Sequence, residues 1–110
     1  MQISVIIPTY KPQHFLWQTL ESLLEQTLDP EQFEIIIVLN GPRDPYITHI
    51  NEFIATVDER FPEPRPEIRL LYTDKPSVSN ARNHGIDASI GSYLAFIDDD
   101  DWVSPTYLSD

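Results

Sequence analysis

Four runs of β-branched and aromatic residues recur along this chain, separated by segments long enough to hold helices. They are Ile3 to Pro8, Phe33 to Leu39, Ile68 to Tyr72 and Ser92 to Ile97. The first two are apolar almost throughout rather than alternating, which is the pattern of strands buried on both faces. Between them, Leu16, Leu20, Leu23, Leu24 and Thr27 recur at spacings of three and four, predicting a helix with one apolar side. Pro12 suits its first turn, and Asp29-Pro30 closes it. Asn40-Gly41-Pro42 is a strong turn signal, and Asp44-Pro45 reads as an N-cap followed by proline at the first helical position. Ile47, Ile50, Ile54, Val57 and Phe61 then keep helical spacing. The stretch Pro62 to Pro66 reads as a stiff surface connection. Pro76-Ser77 opens a third helix reaching about Ser89, Gly91 ends it, and Pro105 is expected to begin another.

This order, β-α-β-α-β-α-β with crossovers of helical length, predicts an α/β fold. The expected architecture is a Rossmann-like, mostly parallel sheet with helices on both faces. All strand carboxyl ends of such a sheet lie along one edge, where ligands bind. Three loops therefore converge there: Pro8-Thr9-Tyr10, Leu39-Asn40-Gly41 and Asp98 to Asp101. The third helix starts at the same edge and aims backbone N–H groups and the positive end of its dipole at it.

The fourth run drives straight into Asp98-Asp99-Asp100-Asp101-Trp102. Four adjacent carboxylates repel one another, so a fold that gathers them needs a cation or full hydration. Hard divalent cations such as Mg²⁺ or Mn²⁺ take oxygen ligands of this kind and share them with phosphates. The formal charge of −11 argues against a nucleic-acid backbone or an anionic membrane surface as partner. It also means that a phosphate-bearing ligand needs a metal or a few well-placed cations. Arg82 borders the apolar face of the third helix and is read as holding a phosphate or the acidic cluster, against the alternative of a surface pair with Asp87. Lys75 sits just before that helix. Tyr10 could stack on a base or sugar, or simply cap the core; Asn40 could hydrogen-bond a base, or simply form the turn. Trp17 reads as core, and Trp102 as a wall beside the acidic cluster. His14, His49 and His84 are scattered on different helices and read as surface positions.

At 110 residues, 41% of them hydrophobic, the chain is at most one globular domain. With no cysteine, disulfides and thiolate metal sites are excluded. The segment Met1 to Ile7 has no basic flank and is too short to span a bilayer, so it reads as a first strand, and the expected setting is the reducing cytoplasm. No Gly-rich phosphate loop, nucleophile elbow or basic-aromatic patch is present.

Several segments together resemble the GT-A glycosyltransferases of family 2, inverting enzymes that use nucleotide-sugar donors. They are Val5 to Tyr10, Ser22 to Thr27, Glu34 to Val38, Ala81-Arg82-Asn83-His84-Gly85 and Gly91 to Asp101, in the family's order and spacing. The resemblance implies that Pro8, Thr9, Tyr10, Leu39 and Asn40 hold the nucleoside of a nucleotide diphospho-sugar. It makes Asp98-Asp99-Asp100 the D-x-D motif, with Asp100 as ligand to Mn²⁺ or Mg²⁺ and Asp98 toward the ribose or the metal. Asp99 and Arg82 then belong to the donor site, and Asp101 serves as an outer acceptor. The implied acceptor is the hydroxyl of a glycan or another molecule. Leu39-Asn40-Gly41-Pro42 stands where the family often has Asp-Asp-Gly-Ser, so a carboxylate grip on the base is missing. The family's general base and acceptor-binding half belong to a later segment, so residues 1–110 read as a single donor-binding domain, truncated before them. The alternative is a non-enzymatic nucleotide- or metal-binding module. A sheet that normally continues implies an exposed edge here, which self-association would cover.

Overall fold

The computed structural model describes residues 2–75 and 77–108. Its elements are β1 (Ile3–Tyr10), α1 (Phe15–Leu24), a single 3₁₀ turn (Pro30–Gln32), β2 (Phe33–Asn40), α2 (Tyr46–Arg60), β3 (Glu67–Thr73), α3 (Val78–Ala88) and β4 (Tyr93–Phe96). All three pairings are parallel, and the strand order is β3-β2-β1-β4. The chain therefore steps outward from β1 to β3 and returns through α3 to place β4 on the far side of β1. The order reverses between β1 and β4, the position at which open parallel sheets form a ligand crevice.

The pleat sorts the strand residues between two cores. Val5, Ile7, Ile35, Ile37 and Leu39 pack with Leu16, Leu20 and Leu23 of α1 and Ile50 of α2. On the other face Ile6, Ile36 and Val38 pack with Ala81 of α3. The helices thus cover both faces, as the element order predicts. Each fully buried Ile or Leu contributes roughly 1.5–3 kcal/mol, so central β2, buried over its whole length, anchors the domain. Small residues let α3 approach closely: a Cβ on Gly85 would stand 2.5 Å from Ile6 Cγ2. In contrast β4 is an edge, with Tyr93, Leu94 and Phe96 exposed.

Several element ends differ from expectation, each for a visible reason. Pro12 precedes α1 rather than lying in its first turn, because Lys11 adopts φ 46° to turn the chain away from the sheet. The helix stops at Leu24, and the Thr27 N–H bonds the Pro105 carbonyl (2.7 Å) instead of continuing the helical ladder. Asp29 does not close α1; its carboxylate accepts from Glu31 N (3.0 Å) and caps the 3₁₀ turn. Asp44 does not cap α2: it pairs with Arg43 (3.2 Å), and Pro45 occupies the N-cap. Ser77 does cap α3, accepting from Asn80 N (3.3 Å), while Pro76 lies outside the described residues. The helix expected at Pro105 is only a turn over residues 105–108. No described helix is long and apolar enough to cross a membrane.

Candidate functional site

The carboxyl ends of β1 and β2 are locked to each other before any ligand is considered. Asn40 is buried and donates its carboxamide N–H to the Thr9 carbonyl (2.8 Å). Gly41 N donates to the Thr73 carbonyl (3.1 Å), and Tyr72 Oη donates to the Gly41 carbonyl (3.1 Å). The side chains of Pro8 and Leu39 are buried, so these two residues offer the edge only their backbone. Tyr10 is half-exposed, with Lys11 Nζ 5.4 Å from its ring centroid.

Beside this edge the acidic tetrad splits into two groups. Asp99 turns inward and accepts from Thr9 Oγ1 at 2.5 Å, and its carbonyl accepts from Thr19 Oγ1 (3.2 Å). Burial pushes its carboxyl above the ordinary range, helped by the charges of Asp100 and Asp98 and opposed by the Thr9 hydroxyl and its own backbone. The other three face solvent. Carboxylate oxygens of Asp98, Asp100 and Asp101 lie within 4.8 Å of one another, and Asp101 N donates to the Asp98 carbonyl (3.2 Å) to close the turn. Such a set of hard, exposed oxygens fits a divalent cation. A cavity of about 260 Å³ adjoins it, lined by Tyr10, Lys11, Gln13, Phe15, Asp99 and Asp100.

Most of the residues singled out in the sequence meet here: Thr9, Tyr10, Asn40 and the tetrad share one edge. Arg82 stands at the flank, its guanidinium 5.8 Å from the ring centroid of Phe96 at the end of β4. No ion pair of Arg82, with Asp87 or otherwise, occurs among the described residues. Trp102 is two-thirds exposed beside the tetrad, and His14, His49 and His84 are surface residues. Trp17 is partly buried and stacks on Phe53.

Other participants escaped the sequence reading. Lys11, Gln13 and Phe15 follow Tyr10 directly, and their position after the first strand was the available signal. Thr19 and Ser22 are polar residues inside an otherwise apolar stripe, a pattern that marks a buried polar contact. At the opposite end of the sheet, Glu34 is fully buried and accepts from Ser4 Oγ (2.7 Å), Ile90 N (3.0 Å) and Arg69 (3.0 Å).

Comparison with known proteins decides the family: residues 4–110 match the family model described as glycosyl transferase family 2. The chain belongs to that family. It is 35% identical over 105 residues to the putative glycosyltransferase EpsH of Bacillus subtilis, covering 96% of this chain and 28% of EpsH. The fold superposes on S. aureus TarS 1–349 in complex with UDP-GlcNAc with a TM-score of 0.79 at 22% identity, covering 100% of this chain and 30% of TarS. The mannosyltransferase PcManGT of Pyrobaculum calidifontis, in complex with GDP-Man and Mn²⁺, gives 0.79 at 20% identity over 92% of this chain and 28% of that one. These likenesses establish the GT-A α/β fold, and the chain spans under a third of the length of EpsH, TarS 1–349 and PcManGT.

Proposed function

We propose that this family 2 chain is the donor-binding part of a glycosyltransferase. It holds a nucleotide diphospho-sugar in the crevice between the ends of β1 and β4, for inverting transfer to a hydroxyl of a glycan or other acceptor. One observation carries the reading: Asp98, Asp100 and Asp101 converge at the point where the strand order reverses, directly beside Thr9 and Tyr10. In this reading Asp100 and Asp98 hold Mn²⁺ or Mg²⁺, with Asp101 in reach of the same ion. The cation supplies charge neutralisation for the diphosphate and polarisation of the leaving nucleotide.

The chain's own residues bind and orient the donor. Tyr10 offers a ring for stacking, the backbone at Pro8, Thr9, Leu39 and Asn40 offers hydrogen bonds to the nucleoside, and Arg82 offers a charge for a phosphate. Inward-facing Asp99 keeps the tetrad tied to β1 through Thr9. The complexes of TarS with UDP-GlcNAc and of PcManGT with GDP-Man and Mn²⁺ support this class of donor.

Titration calorimetry of UDP-, GDP- and dTDP-sugars with Mn²⁺ tests the proposal. At least one is expected to bind, and Asp100→Ala is expected to abolish that binding. An affinity unchanged by Asp100→Ala would remove the metal role.

A further inference from the structure

Past Phe96 no sheet ladder continues to hold the acidic segment, because residues 101–104 are irregular. Three like charges within 4.8 Å would drive such a segment apart unless something else fixed its backbone. Upstream it is held by Ile97 N on the Ile6 carbonyl (3.1 Å) and by Thr9 on Asp99. Downstream, Val103, Ser104 and Leu108 are bonded by side chains from one stripe of α1 and the turn after it.

Thr19 and Ser22 share one face of α1, and Gln26, in the turn just past its end, is tied to the same side by its Nε2 bond to the Ser22 carbonyl (3.1 Å). Thr19 Oγ1 reaches the Asp99 carbonyl (3.2 Å), and Ser22 Oγ accepts from Val103 N (3.3 Å). Gln26 makes the pair that matters most. Its Nε2 donates to the Ser104 carbonyl (2.6 Å) while its Oε1 accepts from Leu108 N (2.9 Å). A carboxamide donates and accepts from two atoms on one carbon, so it can grip a backbone as a neighbouring strand would. The Thr27 N–H adds a bond to the Pro105 carbonyl (2.7 Å), and Leu108 is buried in the α1 core.

We propose that Gln26 is a positioning residue for the cation site: by holding residues 104–108 against α1 it keeps Asp98, Asp100 and Asp101 convergent without touching the ion. This inference rests on the metal reading above and adds to it a residue remote from the carboxylates.

The test is Mn²⁺ affinity, without nucleotide, read from the electron paramagnetic resonance signal of the free ion. Gln26→Met keeps the length and loses the bonds to Ser104 and Leu108 together with the one to the Ser22 carbonyl, and is expected to weaken Mn²⁺ about tenfold, the scale seen when groups orienting metal ligands are removed. Val57→Ala, a core truncation in α2 away from this stripe, serves as the stability control and is expected to leave affinity within about twofold. Ser22→Ala loses the Val103 contact and the hydroxyl's own bond to the Thr19 carbonyl (2.7 Å) within α1; it is expected to cost about two- to threefold and decides the matter if Gln26→Met does not fold. Unchanged affinity in the folded variants, or an equal loss in Val57→Ala, overturns the role of Gln26 alone. Failure of the unaltered chain to bind Mn²⁺ overturns the metal reading and this inference with it.

Discussion

Glu34 and Asp99 stand at opposite ends of one parallel sheet, the first near where the strands begin and the second just past where they end. Both are held by a hydroxyl from β1, Ser4 for Glu34 and Thr9 for Asp99. There the likeness stops. Burial opposes the charge of Glu34, but the Ile90 N–H, the Ser4 hydroxyl and the Arg69 guanidinium outweigh it and hold its carboxyl below the usual range. Burial also opposes the charge of Asp99, and its neighbours are further carboxylates, so its carboxyl is pushed up. An acid whose charge is answered inside the protein ties elements together. A group of acids whose charge is left unanswered at a crevice is a place for a cation to bind.

Removing the answered charge should have the largest effect on stability. Glu34→Ala strands Ser4, Ile90 N–H and Arg69 and leaves a void, so a loss of about 3 kcal/mol is expected in chemical denaturation. A loss below about 1 kcal/mol would break the contrast, since that is the range of an ordinary surface contact. Gly91→Ala attacks the same clasp from the other side. Its Cβ would stand 2.7 Å from Ser4 N and Oγ, which must shift, and overpacking of this kind costs about 1–3 kcal/mol.

Acid titration sharpens the contrast further. A carboxyl lowered by folding stabilises above its unfolded pKa, and that contribution disappears as pH falls through the folded value. The stabilisation from Glu34 should therefore fade progressively as pH falls below the ordinary glutamate range, and Glu34→Gln should flatten that slope. A raised carboxyl works in the opposite sense: its stabilising protonation is present below the unfolded pKa and lost as pH rises through the folded one. Asp99→Asn should consequently be neutral or slightly stabilising near pH 7. The smallest effect belongs to exposed Asp100, where Asp100→Asn should change stability by no more than about 0.5 kcal/mol while cation affinity collapses. Thermal melts with and without Mn²⁺ would show it, and a large loss of stability in the ion-free melt would place Asp100 with Glu34 instead.

Much of the architecture was legible along the chain because periodicity reports which side of an element is buried. The unbroken apolar runs of β1 and β2 announced a sheet covered on both faces, and crossovers of helical length made it parallel. Topology then brought Thr9, Tyr10, Asn40 and the tetrad to one edge. Helix ends were less legible. Asp29 and Asp44 carry the right chemistry for the ends assigned to them, yet Asp29 caps the following 3₁₀ turn and Asp44 pairs with adjacent Arg43. The segment Ser22 to Thr27 could be matched to a family pattern, but its use was invisible.

What the sequence determined by itself was local: element order, parallel pairing, the acidic tetrad and the edge at which it emerges. Partnership came only with the folded chain. Folding placed β4 beside β1, turned Asp99 inward and its three neighbours outward, surrounded Glu34 with donors, and laid residues 103–108 along α1. The reason is physical. A side chain's preference for burial or for a turn is written in its immediate neighbours. The donor that answers a buried charge, or the carboxamide that grips a distant backbone, comes from as many as eighty-two positions away and exists only once the chain has closed on itself.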